Sequence, residues 1–207
     1  MRPRIVRPSK NSYAFFKPYG VECKFTKEPG KTTLGDCLKL PPRVYPIGRL
    51  DADSEGLLIL SDDRRFNQAL LNPRAALPKT YLALVEGQPS EEKLEALRRG
   101  VRIKIKGRGY YTTLPCRAEL TTAPVWLPPR CPPPAVRPGK TYSWLQIVVR
   151  EGKNRQVRRM TAAIGHPTLR LIRVSVGRLS LEGMKPGELR PLSAREIQQL
   201  LFSFADS

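Results

Sequence analysis

The sequence predicts an α+β domain built on a mixed or antiparallel sheet. Three observations carry that expectation. Apolar runs of strand length, such as GLLILS at 56–61 and KTYLALVEG at 79–87, alternate with stretches of helical spacing. Neither G-x-x-x-x-G-K-[ST] nor G-x-G-x-x-G occurs, so nothing points to a doubly wound fold around a nucleotide cofactor. The 207 residues, 40% of them hydrophobic, suffice for one large domain or two small ones with a real core.

Residues 1–12 are a basic arm, expected to be flexible, ahead of a domain covering 13–207. YAFFKPYGVECKF begins as a short apolar strand and turns at Pro18, Tyr19 and Gly20. TTLGDCLKLPP allows one short helix, stopped by Pro41 and Pro42. GLLILS, a continuous apolar run, predicts a strand buried on both faces. DDRRFNQALLN predicts a helix with Asp62 or Asp63 at its N-terminus, where negative charge is favoured. KTYLALVEG is a strand ended by Gly87, and PSEEKLEALRRG a helix capped by Ser90 and closed by Gly100.

Between 122 and 139 prolines stand at 124, 128, 129, 132, 133, 134 and 138, which excludes a helix or a central strand. This stretch is expected to be a stiff insertion across the surface within one sheet, because TYSWLQIVVREG resumes as a strong strand. From Asn154 to Gly165 the spacing is helical. Val157, Met160, Thr161 and Ile164 share one face, while Arg155, Arg158 and Arg159 share the other with Ala162. TLRLIRVSVGRLSLEG gives one or two strands around Gly177, and SAREIQQLLF a helix opened by the capping box Ser193 with Glu196.

Lys and Arg number 37 against 18 Asp and Glu, a formal charge of +19, which points to a polyanionic partner, foremost nucleic acid. No run has the length of a membrane span, and MRPRIVRPSK lacks the apolar stretch of a secretory signal, so a cytoplasmic protein is expected. Cys23, Cys37, Cys116 and Cys131 form no C-x-x-C pair and are read as free thiols. The single histidine, His166, lies between Gly165 and Pro167, where a turn role outweighs a catalytic one. No metal site is expected.

Three constellations could carry chemistry. In GRLDADSEGLLILSDD, residues 48–63, the acids Asp51, Asp53 and Glu55 precede the most apolar strand. They could hold a divalent metal as in a nuclease, form a glycosidase-like pair, supply one nucleophilic or basic aspartate, or simply cap the turn. The second is REGKNRQVRRM, residues 150–160: either a solvated charged helix, or a row of guanidinium groups facing RNA phosphates with one turned to a buried acid. Lys153 and Asn154 add donors at its start, where phosphate is favoured. The third is KTY, whose Tyr81 could pack in the core or stack on a base lifted from its helix.

GRLDADSEGLLIL resembles the signature of the pseudouridine synthases that act on ribosomal RNA. Together with it, FKPYGV, KTY, EGKNRQVRRM, GHPTLRLIR and VGRLSL fall in the order that family uses, over residues 13 to 195. The resemblance implies two lobes of one long mixed or antiparallel sheet with a central cleft, and no room for the N-terminal S4 domain that relatives often carry. It implies conversion of a uridine to pseudouridine in ribosomal RNA, most of all the 23S RNA of the large subunit, free or within an assembling subunit. A monomer without cofactor is expected. By matching motifs, Asp51 is the catalytic carboxylate, Tyr81 the active-site tyrosine and Arg158 the arginine paired with Asp51. Arg49, Lys17, Lys79, Lys153, Asn154, Arg155, Gln156 and Arg159 are expected at the RNA. Asp53 and Glu55, which phosphates would repel, are expected to bond protein groups. The rival readings are a non-catalytic RNA-binding or ribosome-assembly protein and a metal-dependent nuclease.

Overall fold

The computed structural model describes residues 11–107 and 109–202; the basic arm expected over 1–12 therefore lies outside them apart from its last two residues. The elements are β1 (Ser12–Lys17), β2 (Val21–Glu22), β3 (Thr32–Thr33), α1 (Leu34–Cys37), β4 (Tyr45–Pro46), β5 (Glu55–Ser61) and α2 (Arg64–Leu71). There follow β6 (Lys79–Glu86), α3 (Glu91–Arg99), β7 (Arg102–Ile105), β8 (Gly109–Thr112), β9 (Arg117–Thr121) and β10 (Tyr142–Val149). The chain continues through α4 (Gln156–Ala163), β11 (Thr168–Val176), β12 (Leu179–Ser180), β13 (Leu189–Pro191) and α5 (Ala194–Phe202).

The mixed sheet expected from the sequence is present. Its strand order is β13-β1-β5-β11-β6-β10-β9, with β4 added to β5 and β12 to β11. β5 and β11 run parallel, with Ile172 opposite Glu55 and Arg173 opposite Gly56; β11 pairs antiparallel with β6. Every residue of β5 is buried, as its unbroken apolar run predicts. Gly56 is required here. Its φ is +112°, and a Cβ would stand 2.3 Å from the Arg173 carbonyl oxygen, so any side chain would push β11 away.

Alternation along the strands assigns the cores. Leu57 and Ile59 of β5 join Ile172 and Val174 of β11, Leu82 of β6 and the buried faces of α2 and α5 in one core. On the opposite face the apolar residues divide. Phe15, Leu58 and Leu60 pack with Leu34 and Val44, while Ala83, Val85, Leu145 and Ile147 pack under α3 and α4. The sheet thus carries two lobes.

The helix ends follow the sequence. Asp63 accepts from the amides of Arg65 and Phe66, Ser90 from Lys93, and Ser193 with Glu196 closes the expected box. α1 ends at Cys37, with Leu38 already extended, before the prolines are reached. Residues 122–139 form neither helix nor strand and connect the antiparallel neighbours β9 and β10. The hairpin of β7 with β8 was not foreseen from the sequence. His166 occupies a turn: its Nδ1 is 2.8 Å from the Glu86 carbonyl and its Nε2 3.1 Å from Lys93 Nζ.

Candidate active site

A cleft of about 700 Å³ opens between the lobes. One wall is the acid loop, residues 48–51 with Ser54; the other is Lys79 and Tyr81 of β6, Arg173 of β11 and residues 149–157. The loop is folded by backbone bonds, Ser54 N–H to the Asp51 carbonyl (3.0 Å) and Gly20 N–H to the Ala52 carbonyl (2.8 Å). Asp51 is one-third exposed into the cleft, and Tyr81 lies across it with Arg173 opposite on β11.

The other two acids of the cluster are bound to protein, as expected. Asp53 receives the Arg155 guanidinium as a fork, at 2.9 and 2.7 Å. Burial pushes the Asp53 carboxyl up, but the Arg155 bonds and the Arg158 charge outweigh it and hold the group below its usual range. Glu55 is buried and paired bidentately with buried Arg170, both bonds 2.9 Å. The three carboxylates therefore do not converge, and among the described residues no group of three His, Cys, Asp or Glu is placed to hold a metal ion.

Arg158 departs from its expected place. Its Nη2 donates to the Asp53 carbonyl at 2.5 Å and its Nη1 to the Thr168 carbonyl at 3.1 Å, while its Nε lies 3.4 Å from the Asp53 carboxylate. It turns inward, only 11% exposed, and burial lowers its pKa. The arginine beside Asp51 is Arg155, at 3.7 Å. For Arg155 the physical reason lies in the start of α4. The helix begins at Gln156 rather than Asn154, and Arg155 adopts a left-handed conformation (φ 51°, ψ 33°) that points its side chain back over the acid loop.

Two residues expected at the RNA are structural in this arrangement. The Lys17 ammonium is fully buried beneath the acid loop and donates to the carbonyls of Pro18, Val21 and Ala52. Burial lowers its pKa to about 8, against the pull of Cys23, Glu55, Asp53 and Asp51. Gln156 is buried, donating to Glu151 at 2.7 Å and accepting the Lys153 amide at 2.8 Å. The others, Arg159 excepted, line the cleft. Arg49, Lys153 and Asn154 are exposed and line the cleft. Lys79 also lines it and donates to the Leu77 carbonyl; burial and Arg173 lower its pKa to about 8. Arg159 donates to Asn154 at 2.9 Å.

Arg170 and Arg173 were not foreseen from the sequence. Both are buried in β11, and Arg173 donates to the Leu57 carbonyl at 2.8 Å while lining the cleft. The signal was present: two arginines three apart in an otherwise apolar strand must find partners inside. Glu151, which accepts from Tyr111, the Leu114 amide and Gln156, carried no such signal.

A sheet of this topology with an acid loop and a tyrosine facing across its cleft belongs to a known class. A solved structure described as a pseudouridylate synthase superposes on 93% of this chain and 74% of its own, with a TM-score of 0.75 at 24% identity, which establishes the fold. The model of the RNA pseudouridylate synthase family matches residues 11–163, and the chain belongs to that family. Among its relatives, ribosomal large subunit pseudouridine synthase E of Vibrio parahaemolyticus is 42% identical over 192 residues, 92% of this chain and 77% of that protein. The synthase E of Xanthomonas campestris pv. campestris is 45% identical over 184 residues, 88% and 95% of the two chains. Ribosomal large subunit pseudouridine synthase B of Bacillus subtilis is 35% identical over 198 residues, 95% and 74%.

Proposed function

We propose that this synthase isomerises a uridine in the ribosomal RNA of the large subunit, with Asp51 as the carboxylate that acts on the nucleotide. The observation that carries the reading is the meeting of Asp51 and Tyr81 across one cleft, with Arg155 at 3.7 Å from the acid. The relatives' names supply the substrate class.

The reaction breaks the N1–C1′ bond, turns the uracil and joins C5 to C1′; the C5 proton is released and N1 takes up a proton, so the composition is unchanged. An ionised Asp51 serves either by attack on the sugar or by taking a sugar proton, and both need an anion held still. Tyr81 supplies the ring against which a base lifted from its helix rests. Arg155 places its charge between Asp51 and Asp53. Arg158 holds the acid loop to β11 through the Asp53 and Thr168 carbonyls. Arg49, Lys79, Lys153, Asn154, Arg155 and Arg159 face the RNA, and Lys17 and Gln156 support the walls from within. The protein works in the cytoplasm as a monomer, on free RNA or on an assembling subunit.

Asp51→Asn tests the assignment, since it keeps size and polarity and removes the charge. Tritium release from large-subunit RNA labelled at uridine C5 should vanish while RNA binding remains. Turnover at the parent rate would remove Asp51 from the chemistry, and a parent protein that binds this RNA without releasing tritium would favour the RNA-binding reading.

A further inference from the structure

The proline-rich stretch makes a detour that the sheet itself does not require. β9 and β10 are adjacent and antiparallel, so a short turn would join them, yet the chain takes residues 122–141 to do so. The detour leaves from the edge of one lobe. It passes the beginning of β11, where the Pro128 carbonyl accepts from Arg170 at 2.9 Å and the Leu169 carbonyl from Arg130 at 3.3 Å. It reaches the other lobe at Tyr19, in the turn after β1, where the Arg130 guanidinium lies 4.2 Å above the ring centroid. Trp126 and Leu127 anchor it on the shared core. The attachments at Leu169, Arg170 and Tyr19 fall at the end of the sheet where β5 begins, which is the end that carries the acid loop.

Two routes lead from this strap to Asp51. Arg170 binds Pro128 with one donor and holds Glu55, the first residue of β5, in its fork. Arg130 stacks on Tyr19, and the next residue, Gly20, donates to the carbonyl of Ala52, the neighbour of Asp51. Arg130 is also what gives the strap its local shape, because its Nε and Nη2 bind the carbonyls of Pro132 and Pro133 at 2.8 and 2.9 Å. Prolines reduce the conformations open to such a segment, so a pull at one end is transmitted to the other.

We propose that Arg130 is a positioning residue for the isomerisation: it docks the proline-rich strap on Tyr19, bracing the two lobes and holding the acid loop at its working distance from Tyr81. The proposal rests on Asp51 being the catalytic carboxylate. Its cost in rate follows from geometry. An acid displaced by about 1 Å from its reacting atom loses up to roughly a hundredfold in rate, whereas removing a phosphate-binding group at the rim weakens affinity.

The test is single-turnover tritium release from C5-labelled large-subunit RNA, at enzyme concentrations spanning half-saturation, for the parent, Arg130→Ala, Arg130→Lys, Tyr19→Leu and Asp51→Asn. Arg130→Ala should lower the saturated rate roughly tenfold or more with the half-saturating concentration unchanged. Arg130→Lys should fall with it, because an ammonium keeps the charge but not the fork that grips three carbonyls. Tyr19→Leu should match Arg130→Ala, and the pair combined should be no slower than either alone. A saturated rate at the parent level overturns the proposal, even with a lowered melting temperature, since the strap would then be a clamp for stability only. So does a loss of affinity alone that lysine rescues, which would make Arg130 an RNA-binding group. If Arg130→Ala fails to fold, Arg130→Lys and Tyr19→Leu decide on the same readings. An active Asp51→Asn would instead refute the reading beneath the proposal.

Discussion

Glu55→Gln changes one oxygen into an amide nitrogen at the first residue of β5. In the parent, Glu55 and Arg170 are both buried and joined by two bonds of 2.9 Å. The substitution leaves one acceptor, faces the guanidinium with an amide donor and strands a positive charge among the walls of two cores. Breaking a buried pair from one side costs about 3–5 kcal/mol. Arg170 keeps its bond to the Pro128 carbonyl, which places Glu55→Gln toward the lower end, about 3 kcal/mol. For a chain of this size that is a fall of about 10 °C in melting temperature. Urea unfolding followed by circular dichroism gives the free energy directly, with an unchanged slope certifying that the same surface unfolds. Replacing both partners, Glu55→Leu with Arg170→Met, should recover most of the loss, since no charge is then left alone. A stability within about 1 kcal/mol of the parent for Glu55→Gln would refute the reasoning, because it would mean that water or another anion already reaches Arg170.

Arg158→Ala should lower the saturated single-turnover rate far more than Arg159→Ala, because Arg158 ties the acid loop to β11 while Arg159 donates to the side chain of Asn154; equal rates would reduce both to an electrostatic patch. The Lys79 side chain, with its pKa lowered to about 8, is an ammonium below that pH and loses its charge as pH rises through it. RNA affinity should therefore fall between pH 7 and 9, and Lys79→Arg, which stays charged, should flatten that fall; titrations at constant ionic strength give the answer.

The residues that could be read from the sequence are those whose partners are near in the chain or whose burial is forced. β5 announced itself because the continuous apolar run GLLILS leaves no polar face for solvent and needs a strand covered on both sides. Asp63, Ser90 and Ser193 cap helices three or fewer residues away, so their role is local. The motif order led to the cleft and to Asp51 with Tyr81 facing across it. What stayed hidden depends on the backbone at one residue or on pairing over long separations. Arg158 keeps the helical face that the spacing predicts, away from Val157, Met160 and Thr161, but the acid loop covers that face through the Asp53 carbonyl. Arg155 is left-handed and lies outside the helix, and it is the arginine that meets the Asp51 and Asp53 carboxylates. Lys17 looked like an RNA-binding lysine because lysines are seldom fully buried, and only the carbonyls around it account for its place. In the β7–β8 hairpin only β7 alternates polar and apolar residues, over four positions, and β8 does not, so no pattern stands out beside α3.

The position of β11 in the sheet has a consequence for the order in which the enzyme is made. Asp51 and Tyr81 both precede β11 in the chain, yet β5, which follows the Asp51 loop, and β6, which carries Tyr81, are not neighbours; β11, which begins only at Thr168, is inserted between them. Until that strand arrives, β5 and β6 share no ladder, Gly56 has no backbone to receive, and Glu55 has no arginine. A nascent chain that already contains the acid and the tyrosine therefore has no cleft to put them in. The two walls of the cleft are joined through the sheet only by β11, Thr168–Val176, the strand between them.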